Sequence, residues 1–249
     1  MIVDFSVTKQ NGMVIRGKKY ASDNEKEILI LCHGFTSSME ETMYYAERLI
    51  EKGITTYIFD FCGGGFKTIS DGDFHTYMTP MTEVEDLSYV VEYVLKQEKV
   101  SDVCIGGCSQ GGFVSSLYAS KHPEKVKKLV LVYPAFCIPD DARKGSMQVV
   151  TFDPNNIPDV VGTMPMQVSG EYPRSVISMD IYKEIIGYKG PVLLMHGTAD
   201  KIVPISYADK AKEVYGDICT YYVLDGAPHG FYEEPYMSEA VQHIYDFLK

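Results

Sequence analysis

The sequence predicts an α/β fold built on a mostly parallel, eight-stranded sheet flanked by helices. Eight short runs read as strands, most are separated by segments with helical spacing, and glycine or proline marks the junctions. Of the 249 residues, 45% are hydrophobic and 23% charged, which is ordinary for a globular chain and compatible with one α/β domain spanning 1–249.

The runs IVDFSVT and MVIRGKKY, joined around Asn11 and Gly12, read as an antiparallel hairpin. EILILCHG, from Glu27, is a continuous apolar run ending in glycine, as a doubly covered strand would. ETMYYAERLIEKG follows with helical spacing and stops at Gly53. ITTYIFD is the fourth strand. After a glycine-rich loop, Val84, Leu87, Val91 and Val94 mark one helix face. VCIG is the fifth strand, and FVSSLYASKHPE a helix closed by His122 and Pro123. VKKLVLVYP, PVLLMHG and ICTYYVLDG complete the strands, with the helical ISYADKAKEVYG between the last two and a final helix over 235–249. Residues 136–190 break the rhythm and hold five prolines: Pro139, Pro154, Pro158, Pro165 and Pro173. So long a structureless stretch is improbable in a compact domain, so the segment reads as an insertion after the sixth strand with structure of its own.

The net charge of −11 argues against nucleic-acid and anionic-membrane partners, which are held by Lys and Arg. No apolar run approaches the roughly eighteen residues of a membrane span. The N-terminus lacks a basic region followed by an apolar one, so a cytoplasmic location is expected. The six cysteines form no CxxC pair and read as free, mostly buried thiols. No metal is expected, since neither HExxH nor a ligand cluster occurs. CGGGFKT fails as a phosphate loop because Phe66 stands where glycine should precede Lys67.

Chemistry concentrates where strands end, the place open α/β sheets bind ligands. Gly107-Cys108-Ser109-Gln110-Gly111 matches G-x-S-x-G between a strand and a helix. Small residues on either side allow a sharp turn that presents Ser109 Oγ as a nucleophile. A plain flexible turn is the alternative. A hydroxyl needs a base, and the expected order is Ser, acid, His. His229, in GAPHGF beyond the last strand, is the candidate base. His33 and His196 end strands and read as turn-shaping; His75, His122 and His243 read as structural or surface groups. Asp200, just past a strand in HGTADKIVP, is the candidate acid that orients the imidazole, with Asp225 as its rival. The oxyanion hole needs two backbone N–H groups, assigned to Gln110 and to Phe35 in CHGFTSS.

GCSQGG, HGF, HGTADKIVP and GAPHGF together resemble the α/β-hydrolase superfamily along nearly the whole chain, and more narrowly the bacterial cinnamoyl (feruloyl) esterases, which share this size and an insertion after the sixth strand. DDARKGSMQ and GEYPR look like the lid segments with which those esterases hold a hydroxylated ring. The resemblance implies that 136–190 is a lid and that Asp141, Gln148 and Tyr172 contact phenolic hydroxyls. Many relatives carry His where this chain has Cys108 and where it has Gly64. Neither position carries a proton in the mechanism, although both bear on pocket shape. Cys108 as nucleophile is disfavoured because it precedes the apex of the turn.

The expected function is a cofactor-free serine carboxylesterase acting on small aromatic esters of the feruloyl or caffeoyl type. A short-chain carboxylesterase or monoacylglycerol lipase is the nearest alternative. A peptidase and a non-catalytic receptor of the same fold rank lower. The sequence leaves the alcohol half and the oligomeric state open, a homodimer included.

Overall fold

Asn11 and Gly12, the latter with φ +86°, turn the chain between β1 (Ile2–Thr8) and β2 (Val14–Tyr20) in a computed structural model that describes residues 1–23, 27–148 and 150–249. The N–H of Lys9 donates to Met13 O at 2.8 Å, so the hairpin closes over five loop residues rather than the tightest two-residue turn. Strands β3 (Glu27–Cys32), β4 (Ile54–Asp60), β5 (Val103–Cys108) and β6 (Val126–Val132) follow, interleaved with α1 (Met39–Glu51), α2 (Pro80–Glu98) and α3 (Gln110–Lys121).

Helices α1 and α2 start where the sequence supplies a cap. The Ser38 side chain accepts from the Glu40 N–H at the head of α1. Thr79 and Thr82 cap α2 reciprocally, with Pro80 in its first turn. Helix α1 ends at Glu51, and Gly53 takes φ +88° to send the chain back into β4.

The segment 136–190 contains α4 (Ile138–Lys144), a small hairpin of β7 (Ser146–Met147) and β8 (Val150–Thr151), a second of β9 (Val160–Val161) and β10 (Val168–Ser169), then α5 (Glu171–Arg174) and α6 (Ile181–Glu184). The chain closes with β11 (Val192–Gly197), α7 (Ser206–Tyr215), β12 (Cys219–Leu224) and α8 (Tyr236–Leu248).

The large sheet runs β1-β2-β4-β3-β5-β6-β11-β12, antiparallel from β1 to β4 and parallel from there on. Every residue of β4, β5 and β11 is buried, as strands covered on both faces require. On one face α2, α3 and α7 pack through Leu87, Val91, Phe113, Leu117 and Ala211. On the other, α1 and α8 pack through Tyr45, Leu49, Val241 and Ile244. Val150, Val161, Val168, Tyr172 and Ile181 join the first of these cores, so the inserted segment is welded to the face that carries α3. All six cysteines are buried. Among the described residues, no helix is long and apolar enough to cross a membrane.

Candidate active site

Strand β5 ends at Cys108 and α3 begins at Gln110, leaving Ser109 alone at the turn. Its backbone sits at φ +52°, ψ −118°, a region a side-chain-bearing residue occupies only when its surroundings impose it, at about 1–3 kcal/mol. Four backbone hydrogen bonds impose it here. Ser109 N–H donates to Val132 O, and Ser109 O accepts from the N–H groups of Gly112, Phe113 and Ala135. The flanking glycines are needed for close approach: a Cβ on Gly107 would collide with the backbone of Gly111, and one on Gly111 with the Cys32 carbonyl. The Ser109 hydroxyl does not cap α3, which leaves it available to another partner.

That partner is His229, on the loop after β12. Its Nε2 lies 3.0 Å from Ser109 Oγ, and its Nδ1 lies 2.7 Å from Asp200 Oδ2. With Nδ1–H donating to the carboxylate, the Nε2 lone pair faces the serine proton, the arrangement a general base needs. The Tyr133 ring packs beside the imidazole, centroids 4.8 Å apart. Asp200 Oδ1 accepts from the N–H groups of Ile202 and Val203, both at 2.9 Å. Burial works to raise the Asp200 pKa, but the hydrogen bonds from His196 and His229 outweigh it and hold the carboxyl well below the usual carboxylate range. Asp225 accepts from Thr198 Oγ1 at 3.0 Å and shapes the turn after β12.

The other histidines are placed differently. His196 is fully buried, with Nε2 2.9 Å from Val203 O and 3.1 Å from Asp200 Oδ2. It therefore backs the acid as well as shaping a turn, a role for which its spacing of four residues from Asp200 was the one available signal. His33 Nε2 accepts from Phe61 N–H at 3.1 Å, which leaves Nδ1–H to donate to Gly34 O at 2.9 Å. His75 Nδ1 lies 2.6 Å from Gln167 O, joining the glycine-rich loop to the insertion. The His122 ring packs at a tilt beside Tyr118, and His243 stacks on Tyr222.

The two oxyanion candidates are oriented by their neighbours. Neither the Phe35 nor the Gln110 backbone N–H donates to an acceptor among the described residues. Gly34 N–H, one residue earlier, donates to Glu41 Oε2 at 2.6 Å, and Glu41 Oε1 accepts from Tyr232 OH at 2.9 Å. One buried carboxylate thus ties the Phe35 loop to the His229 loop, which the sequence did not announce. Cys108 is fully buried, and burial pushes its thiol well above the ordinary value, so it presents no thiolate to the cleft.

Ser109 opens onto a cavity of about 490 Å³. Asp141, Gln148 and Tyr172 all line it, with Phe35, Ile138, Met147, Val150 and Val168 among the apolar walls. Burial raises the Asp141 carboxyl above its ordinary value, and Lys144 lies 3.8 Å away. The Tyr172 hydroxyl donates to Gln110 Oε1, so toward the cavity it offers an acceptor. Among the described residues, no group of three His, Cys, Asp or Glu side chains is placed to hold a metal ion.

A family described as Serine aminopeptidase, S33 matches residues 23–167. Among solved structures, the chain is similar to Est1E from Butyrivibrio proteoclasticus with ferulic acid bound, at 27% identity over 98% of this chain and 97% of that one, with a TM-score of 0.89. A second structure of Est1E superposes with a TM-score of 0.84 at 24% identity over the same shares. The monoacylglycerol lipase of Paleococcus ferrophilus is similar in fold, with a TM-score of 0.74 and 22% identity over 94% of this chain and 98% of that one. No curated protein matches.

Proposed function

The chain belongs to the serine aminopeptidase S33 family of α/β-hydrolases, and we propose that it is a serine carboxylesterase hydrolysing hydroxycinnamoyl esters through an acyl-enzyme. The observation that carries this reading is the coincidence of two features. Ser109 Oγ sits 3.0 Å from an imidazole whose other nitrogen is 2.7 Å from a carboxylate, and the same serine opens into a cavity that Asp141, Gln148 and Tyr172 also line. Its volume suits a flat aromatic acyl group. The likeness to Est1E, crystallised with ferulic acid, supports the same substrate class.

The chemistry follows from the geometry. His229 Nε2 takes the Ser109 proton as Oγ attacks the ester carbonyl, and Asp200 stabilises the imidazolium without taking the proton. The tetrahedral oxyanion is held by the backbone N–H groups of Phe35 and Gln110, at the positive end of α3. His229 then protonates the departing alkoxide. Water, deprotonated by the same nitrogen, attacks the acyl-enzyme and releases the acid. No cofactor takes part in these steps.

Apolar walls at Ile138, Met147, Val150 and Val168 favour a second reading, in which the cavity holds an alkyl chain, as in a short-chain esterase or monoacylglycerol lipase. Hydrolysis of methyl ferulate and methyl caffeate against a p-nitrophenyl alkanoate series decides. A higher kcat/KM on the hydroxycinnamates is expected. Much faster cleavage of alkyl esters would sink the aromatic assignment and keep the esterase. Hydrolysis of aminoacyl-p-nitroanilides in preference to any ester would replace it with a peptidase.

A further inference from the structure

Tyr172, from α5 of the insertion, touches the side chains of both residues whose backbone N–H groups form the proposed oxyanion hole. Its hydroxyl donates to Gln110 Oε1, and its ring meets the Phe35 ring edge-on, centroids 5.5 Å apart. Gln110 is held on its other side: Nε2 donates to Glu83 Oε2 at 2.8 Å and lies 3.7 Å from Met78 Sδ. Glu83, Gln110 and Tyr172 are all at least 98% buried, so this chain of groups is shielded from water from α2 to the insertion.

We infer that Tyr172 is a positioning residue that couples the insertion to the oxyanion hole through the Gln110 side chain, with Glu83 as the anchor. The inference rests on the esterase reading above, though not on the hydroxycinnamate preference within it. Gln110 opens α3 and immediately follows the strained Ser109, so a rotation of its backbone re-aims the N–H that faces the oxyanion. The side-chain amide is fixed at both ends, with its oxygen on Tyr172 and its nitrogen on Glu83. Such an amide resists that rotation better than one hydrogen-bonded to mobile water. Phe35, pressed by the same Tyr172 ring, is steadied from the opposite side of the hole. Burial raises both the Tyr172 hydroxyl and the Glu83 carboxyl well above their ordinary values, which works against a negative charge behind the oxyanion. Glu83 Oε1 has no hydrogen-bond partner among the described residues, so Gln110 is the side-chain contact that fixes this carboxyl.

A pure substrate contact and a positioning residue predict different kinetics for Tyr172→Phe, which keeps the ring and deletes the hydroxyl. Positioning predicts that kcat falls about tenfold on p-nitrophenyl butyrate, which has no ring hydroxyl to recognise, while KM stays within about twofold. That loss is smaller than the roughly 10²–10³ of an entirely missing hole donor. Binding of a trifluoromethyl ketone, which Ser109 converts to a tetrahedral oxyanion, should weaken by the same factor. Glu83→Leu should repeat the pattern, and Glu83→Gln, isosteric with the protonated acid, should recover the activity lost in Glu83→Leu. Loss confined to methyl caffeate, with butyrate kcat and ketone affinity unchanged in Tyr172→Phe, would overturn the coupling and leave the esterase reading standing. A parent chain that cleaves neither ester would overturn both.

Discussion

Both oxygens of Asp200 are fully engaged: Oδ2 meets His229 and His196, and Oδ1 takes two backbone N–H groups. Asp200→Asn preserves shape and removes the charge, so it leaves His229 free to adopt the wrong tautomer. On p-nitrophenyl butyrate, kcat should fall by about 10⁴-fold with the fold intact by circular dichroism. Retention of a tenth of the activity would refute Asp200 as the orienting acid. The carboxyl is also held low in the folded chain, so its stabilisation is present above its unfolded value near about pH 4 and is lost on further acidification. Glu83 has the opposite sign. Its folded pKa is raised, so the parent loses stability relative to a neutral isostere as pH rises above the unfolded value. The melting temperature of Glu83→Gln should match the parent near pH 4 and exceed it increasingly between pH 5 and pH 8; a constant difference would mean Glu83 is ionised. Ser109, Asp200 and His229 could be picked from the sequence because each follows a recognisable strand. Glu83 and Glu41 could not, since a carboxylate near a helix start reads as a solvent-facing charge.

At the scale of elements, the turn from β5 into α3 decides whether there is a site at all. Gly111→Ala places a methyl group against the Cys32 carbonyl, a backbone atom that cannot step aside. The variant should lose about 1–3 kcal/mol in urea unfolding together with most of its activity. Full retention of both would show that the elbow relaxes freely. The eight principal strands were legible because burial on one or both faces leaves runs of five to seven suitable residues, as in EILILC and ITTYIFD. The start of α3 was harder to see: the structure begins the helix at Gln110, ahead of Gly111 and Gly112, which read locally as loop. The small hairpins of the insertion were invisible because strands of two residues carry no periodicity.

Across the whole molecule, the N-terminal hairpin meets α2 through the Phe5–Tyr93 ring stack, the Lys19–Glu98 ion pair and one buried cation. Lys9 Nζ lies 2.5 Å from Asp86 Oδ1, 2.8 Å from Glu85 and 2.9 Å from Tyr77 OH, while Asp86 Oδ2 accepts from Cys62 N–H. Lys9 and Asp86 are both almost wholly inaccessible, so Lys9→Met strands a carboxylate in the core. Guanidinium unfolding should register a loss of about 3–5 kcal/mol, and Lys9→Met with Asp86→Leu should recover much of it. A single variant as stable as the parent would show that water reaches Asp86. Glu41 does for the cleft what Lys9 does for the hairpin, with a different outcome. Its two oxygens accept from the Gly34 backbone N–H and the Tyr232 hydroxyl, which yokes the two loops on that side of the cleft. An ester carbonyl therefore meets Phe35 and His229 on two loops that one carboxylate holds together, so the groups that would grip and deprotonate keep their spacing as a unit.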